Sequence, residues 1–113
     1  MTAIATTTAL ASAARTISGT VDIGTIPGEQ YELLIYIDAT VVTGTSPSLT
    51  VTYQSSPDGV NFWDNTAGSA IIVAGKQLIK IPSTTGKYGR LSYAISGTTP
   101  SFTFSVVVEA KRQ

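Results

Sequence analysis

Apolar residues in this chain recur at every second position, in short runs cut by turn residues, and that period constrains the fold more than any other feature. Tyr31, Leu33, Ile35, Ile37, Ala39 and Val41 share one face of a run whose other face carries Glu32, Asp38 and Thr40. Leu34, Tyr36 and Val42 lie between these polar residues, so the centre of the run is apolar on both faces and reads as an interior strand. The same alternation recurs with Ile17, Val21 and Ile23, with Leu49, Val51 and Tyr53, with Leu91, Tyr93 and Ile95, and with Phe102, Phe104, Val106 and Val108. Short strands are also expected at Val60–Asp64, Ala70–Val73 and Gln77–Ile81.

The punctuation fits the strands. Ile26-Pro27-Gly28-Glu29, Thr43–Pro47, Asn65–Ser69, Pro82–Gly86 and Gly97–Pro100 read as turns or loops. Ser55-Ser56-Pro57-Asp58-Gly59 contains an Asp-Gly pair, the strongest short-range hairpin signal. No segment is long enough for a crossover helix, which excludes a parallel α/β sheet. The pattern therefore predicts an all-β chain: one antiparallel β-sandwich of about eight strands over residues 15–113, with an extended N-terminal arm over residues 1–14. Leu33, Ile35, Ile37, Val51, Tyr53, Leu91, Tyr93, Phe102, Phe104 and Val106 form the expected core. No internal repeat is evident at this level.

The arm carries no charged side chain and is mostly Ala and Thr. Ala11-Ser12-Ala13 imitates the end of a signal peptide, but a basic start is missing and Thr6-Thr7-Thr8 interrupts the apolar centre. A helix over Ala9–Ala14 would be short and marginal in water. An extended arm docked on its own domain or on a neighbouring subunit fits better, with Ile4, Leu10 and Arg15 as the expected contact residues.

Composition narrows the chemistry. The 113 residues include no Cys and no His, and seven basic residues balance seven acidic ones. This removes disulfides, thiolate nucleophiles, imidazole bases and Cys- or His-ligated metals. Zero net charge leaves no footprint for nucleic acid or an anionic membrane. Asp58 with Asp64, or Glu29 with Glu32, could in principle supply a glycosidase pair, but nothing in the sequence suggests a pocket that would raise a carboxylate pKa, and Asp58, Asn61, Asp64 and Asn65 fit no EF-hand loop, so no catalytic residue, metal or cofactor is expected. Charged residues are only 12% of the chain, and such a surface favours association. Asp58, Asn61, Phe62 and Trp63 form the candidate surface-binding loop. Phe62 and Trp63 are adjacent, so in a strand they point to opposite faces; one ring is expected in the core, and a lone Trp in a small sandwich is usually that one.

The hairpin Leu49-Thr50-Val51-Thr52-Tyr53-Gln54-Ser55-Ser56-Pro57-Asp58-Gly59-Val60-Asn61-Phe62-Trp63 resembles a pattern in small β-sandwich virion proteins of tailed bacteriophages, and so do Gly86–Gly97 and Ser101–Val106. The likeness covers roughly residues 31 to 110. It implies a non-enzymatic, multi-copy capsid decoration (cement) protein, made in the host cytoplasm and placed on the capsid exterior. The implied partners are the major capsid protein and further copies of itself, often as a trimer. Ser56-x-Asp58-Gly59 with Trp63 also resembles the hairpin of discoidin-type domains, although those are longer, commonly carry a disulfide and place the Trp one residue nearer the Gly. A carbohydrate-binding module on a tail fibre or surface, and a head–tail connector or tail component, are the alternative expectations.

Overall fold

The computed structural model describes residues 3–25, 31–82 and 88–112. Those residues form six strands in one antiparallel sheet, with no helix among them. The strands are β1 (Ala3–Arg15), β2 (Gly19–Thr25), β3 (Tyr31–Ser56), β4 (Trp63–Ala67), β5 (Gly75–Ile81) and β6 (Tyr88–Arg112). The expected eight become six because Thr43–Pro47 and Gly97–Pro100 do not end their strands, while the loss of Ala70–Val73 as a strand is offset by the expected arm, which pairs with β6 as β1. The runs on either side continue into the long strands β3 and β6, which pair from Tyr31↔Arg112 to Ser56↔Tyr88.

A straight strand of 26 residues would span about 85 Å at ~3.3 Å per residue. The molecule's longest extent is 43 Å. The β3–β6 ribbon therefore doubles back, and the bend lies at the two interrupting segments. Gly44 (φ +113°) and Gly97 (φ +123°) sit there with Ser46 and Thr99, both at positive φ. A Cβ on Gly44 would stand 2.7 Å from the Thr99 carbonyl oxygen, and one on Gly97 would stand 2.8 Å from the Ser46 carbonyl oxygen. Only glycine fits where each segment crosses the other.

These contacts expose a repeat that the strand pattern hides. Gly44-Thr45-Ser46-Pro47-Ser48-Leu49 on β3 matches Gly97-Thr98-Thr99-Pro100-Ser101-Phe102 on β6. At the same spacing Val51 corresponds to Phe104, Tyr53 to Val106 and Val42 to Ile95, all facing inward. The flanking strands obey the same relation. β5 pairs with the first half of β3 and β2 with the first half of β6, while β4 pairs with the second half of β3 and β1 with the second half of β6. The sheet thus has two pseudo-equivalent halves, β5–β3–β6–β1 and β2–β6–β3–β4. The expectation of no internal repeat is corrected accordingly.

Both halves feed one apolar core, which contains Leu33, Ile35, Ile37, Leu49, Val51, Tyr53, Leu91, Phe102, Phe104 and Val106, with Tyr93 packed against it. Three details of the pattern change. A register shift between Ala39 and Val41 adds one residue to β3, which keeps Val42 inward and turns Val41 out to 51% exposure. Ile17 lies in the bend before β2 and is exposed. Ala70–Val73 is not a strand: only Ile71 bridges, to Leu49, while Ile72 and Val73 face solvent. The turn expected at Ile26–Glu29, and residues 83–86 of the next expected loop, lie outside the described residues.

Candidate functional site

The turn after β3 is built by two small side chains. Ser56 is buried, and its hydroxyl accepts the Gly59 amide at 2.8 Å and the Asp58 amide at 3.2 Å. The Asp58 carboxylate closes the turn from the other side. Its Oδ1 accepts the amides of Val60 and Asn61, each at 2.9 Å, and the Ser56 hydroxyl at 3.0 Å, while Oδ2 accepts the Asn61 side-chain amide. These donors hold the Asp58 carboxyl well below the ordinary carboxylate range, the backbone amides of Asn61 and Val60 contributing most. Gly59 takes φ +78°, and a Cβ there would touch the Tyr88 ring at 3.5 Å.

The loop therefore delays β4, which starts at Trp63 rather than at Val60. The exposures of the two adjacent rings reverse the expectation. Phe62 is half-buried, with the Arg90 guanidinium 4.0 Å from its centroid, whereas Trp63 is 60% exposed. Trp63 is not a core residue because it stands on an edge strand opposite Ser55, beyond the last large core side chain of β3, Tyr53.

Arg90 belongs to a polar ladder across the outer face of one half-sheet. Asp22, Arg90, Gln54 and Asp64 are consecutive register partners on β2, β6, β3 and β4. Arg90 Nε donates to Gln54 Oε1 at 2.6 Å, and Gln54 Nε2 donates to Asp64 Oδ1 at 2.7 Å. Beside this ladder opens a cleft of about 320 Å³, lined by Asp22, Asp58, Gly59, Phe62, Tyr88 and Gly89. Asp58 and Phe62 of the candidate loop thus meet Tyr88, an aromatic residue that the sequence offers for a sugar-stacking platform, and Asp22, which the sequence does not single out; their register opposite Ser56 and Arg90 is the missing signal. Asn61 serves the turn. Among the described residues no three acidic side chains converge on a point that could hold a metal ion.

The other candidate residues lie on β1, which runs along the edge of β6. Arg15 donates to the carbonyls of Ala11 at 2.9 Å and Phe104 at 2.8 Å, and its guanidinium covers the Phe104 ring. Leu10 is half-buried against the core. Ile4 falls in β1, and its side chain lies outside the described residues.

A family model described as a domain of unknown function, DUF6385, matches residues 32–112. The chain belongs to the DUF6385 family. The match takes in β4, β5, β6 and all of β3 but its first residue, hence the folded ribbon, both glycine crossings and the Asp58 turn; β1 and β2 lie outside it. No curated protein matches the chain.

Proposed function

We propose that this DUF6385 chain is a non-enzymatic structural subunit of a phage virion, a head decoration protein that adheres to the outside of the capsid lattice. In this reading the doubled ribbon acts as a two-layered sandwich, its eight strand segments supplied by four short strands and the halves of β3 and β6. The observation that carries the reading is the combination of a weakly charged, strand-only scaffold with large apolar side chains standing out of it: Trp63, Val60, Leu78, Tyr36 and Val73. Apolar surface that a lone domain would hide is what a lattice-bound subunit uses. The likeness to phage β-sandwich proteins supports the same assignment. Sparse charge makes attachment depend on shape and apolar contact, so binding to the major capsid protein is expected to change little with salt.

The test is to add purified protein to undecorated capsids and locate it by cryo-electron microscopy. Density at every equivalent lattice position supports decoration. Density confined to one vertex favours a connector, and no density defeats the assignment.

The cleft favours one second reading, a carbohydrate-binding module, because two rings and two carboxylates face one open groove. Glycan binding lost in Phe62→Ala, in a variant that stays folded, supports it; no binding to any glycan removes it.

A further inference from the structure

The pseudo-equivalent half-sheets differ sharply on their outer faces. Where one half carries the row Asp22–Arg90–Gln54, the other carries Leu78–Tyr36–Val107 at the corresponding positions of β5, β3 and β6. In the first row Arg90 donates to Gln54, which donates onward to Asp64 of β4. The second presents Leu78 at 55% and Tyr36 at 41% exposure over a groove of about 470 Å³, bordered by Asp38, Lys76 and Ser105. The same scaffold solves the same position in a polar way on one side and leaves it apolar on the other, so the apolar row calls for a cover.

The charges beside the row point to what covers it. Register places Lys80, Leu34 and Glu109 in one flanking row, and Lys76, Asp38 and Ser105 in the other. Both lysines thus lie on β5, and Glu109 lies on β6. A two-fold axis in the plane of contact, running along β3, would lay β5 of one copy over β6 of the other. Lys80 would then face Glu109, Leu78 would face Val107, and Tyr36 would lie over its own counterpart; Asp38 would also meet its counterpart, with Lys76 of one copy on one side and Lys76 of the other on the opposite side. A two-fold axis across the strands would set Lys76 against Lys80, like charge on like. Only the first arrangement sets opposite charges face to face, at Lys80 and Glu109, as well as apolar side chains.

We propose that the outer face of β5–β3–β6 is a self-complementary docking surface for a second copy of this chain, joined face to face about an axis along β3. Lys80 keeps its internal partner, Glu32 at 3.1 Å, and remains 61% exposed; Tyr36 donates to Glu109 at 2.8 Å. These contacts hold the flanking side chains in place without withdrawing the apolar row. The inference stands apart from the virion assignment, and its two-fold geometry differs from the trimer that the phage likeness implies.

The test uses the full chain in sedimentation velocity over a range of concentrations, where a monomer–dimer equilibrium is expected. Leu78→Glu, on an exposed position flanked by Lys76 and Lys80, removes the dimer. Ser105→Lys sits beside Asp38 in its own copy and meets Lys76 of the second, so it weakens the dimer several-fold, whereas Ser105→Glu strengthens it. Because the chain has no cysteine, Asp38→Cys gives one thiol close to the axis. A bis-maleimide of about 10 Å, the spacing of packed sheets, then links two copies, while Ile17→Cys, exposed elsewhere, gives no link. A chain that stays monomeric throughout overturns the proposal, as does an oligomer that both Ser105 variants leave unchanged or one that cross-links equally well through Ile17→Cys.

Discussion

The Arg15 guanidinium lies 4.8 Å from the centre of the Phe104 ring and donates to the carbonyl of the same residue at 2.8 Å. One side chain thus ties the end of β1 to a fully buried residue of β6 by both its plane and its donors. Arg15→Ala should cost about 1–2 kcal/mol in urea unfolding and speed amide exchange along β1. Arg15→Lys should recover only part of the loss, because an ammonium lacks the flat fork that reaches two carbonyls while covering a ring.

Gly89 and Tyr53 compete for one space inside the sheet. A Cβ on Gly89 would stand 2.8 Å from the Tyr53 hydroxyl, which is sealed from solvent without a well-formed hydrogen bond. Burial pushes this phenol up, and the Ser55 side chain only partly offsets the effect. Gly89→Ala should destabilise by about 1–3 kcal/mol. Tyr53→Phe should be neutral or stabilising by up to about 1 kcal/mol, and the double variant should cost less than the sum of the two. Thermal unfolding of all four proteins measures the coupling.

At the ribbon crossing, Thr99 is a β-branched residue at φ 50°. Thr99→Asn should stabilise by roughly 0.5–1 kcal/mol, because asparagine tolerates that conformation better. Gly97→Ala should destabilise by about 2 kcal/mol or more, since its neighbours there are backbone atoms that cannot turn aside. Denaturant midpoints of the two variants should move in opposite directions.

The Asp58 turn carries a pH dependence of defined sign. Its folded carboxyl is depressed below the ordinary value of 3.8, so the contribution is complete above that value and disappears as the pH falls through the folded one. Stability should therefore decline in acid below about pH 4 more steeply in the wild type than in Asp58→Ala. The Ala variant should also show faster exchange of the Val60 and Asn61 amides at neutral pH.

Pairing of Ala3 with Lys111 brings the two ends of the sheet together. A chain in which a short linker joins residue 112 to residue 3, opened at the exposed Ala74–Gly75 link, should fold with stability within about 1–2 kcal/mol of the original. Circular dichroism and urea unfolding of this permuted chain would show it; failure to fold would mean that the order of the strands matters beyond their pairing.

The inward face of each strand was legible because alternation marks it directly: Ile35, Val51 and Phe104 were placed from period alone. What period cannot register is backbone geometry. The extra residue near Val41 reverses parity without altering composition, and Gly44 and Gly97 look like ordinary turn residues until their partner segments are known. The repeat around them escaped for the same reason, since its strongest match lies in the punctuation rather than in the strands. In the loop, Asp58 was legible as a turn residue. The cleft was not, because Asp22 and Tyr88 reach it only through cross-strand register. Trp63 was misplaced because the expected hairpin closed at Val60, whereas the side-chain bonds of Asp58 prolong the loop to Phe62.

The position of β6 between β1, β2 and β3 also sets a timetable. Among the described strands β1 is made before the others, yet its partner β6 is made after them. β2 and β3 wait on the same strand. Until β6 arrives, the nascent chain can close only the β3–β4 and β3–β5 hairpins, and Phe102 and Phe104 are missing from the core. Most long-range closure must therefore wait for β6, when loop entropy is paid nearly all at once. A domain of this design should fold slowly and cooperatively, with chaperones meeting an Ala- and Thr-rich β1 whose place in the sheet does not yet exist.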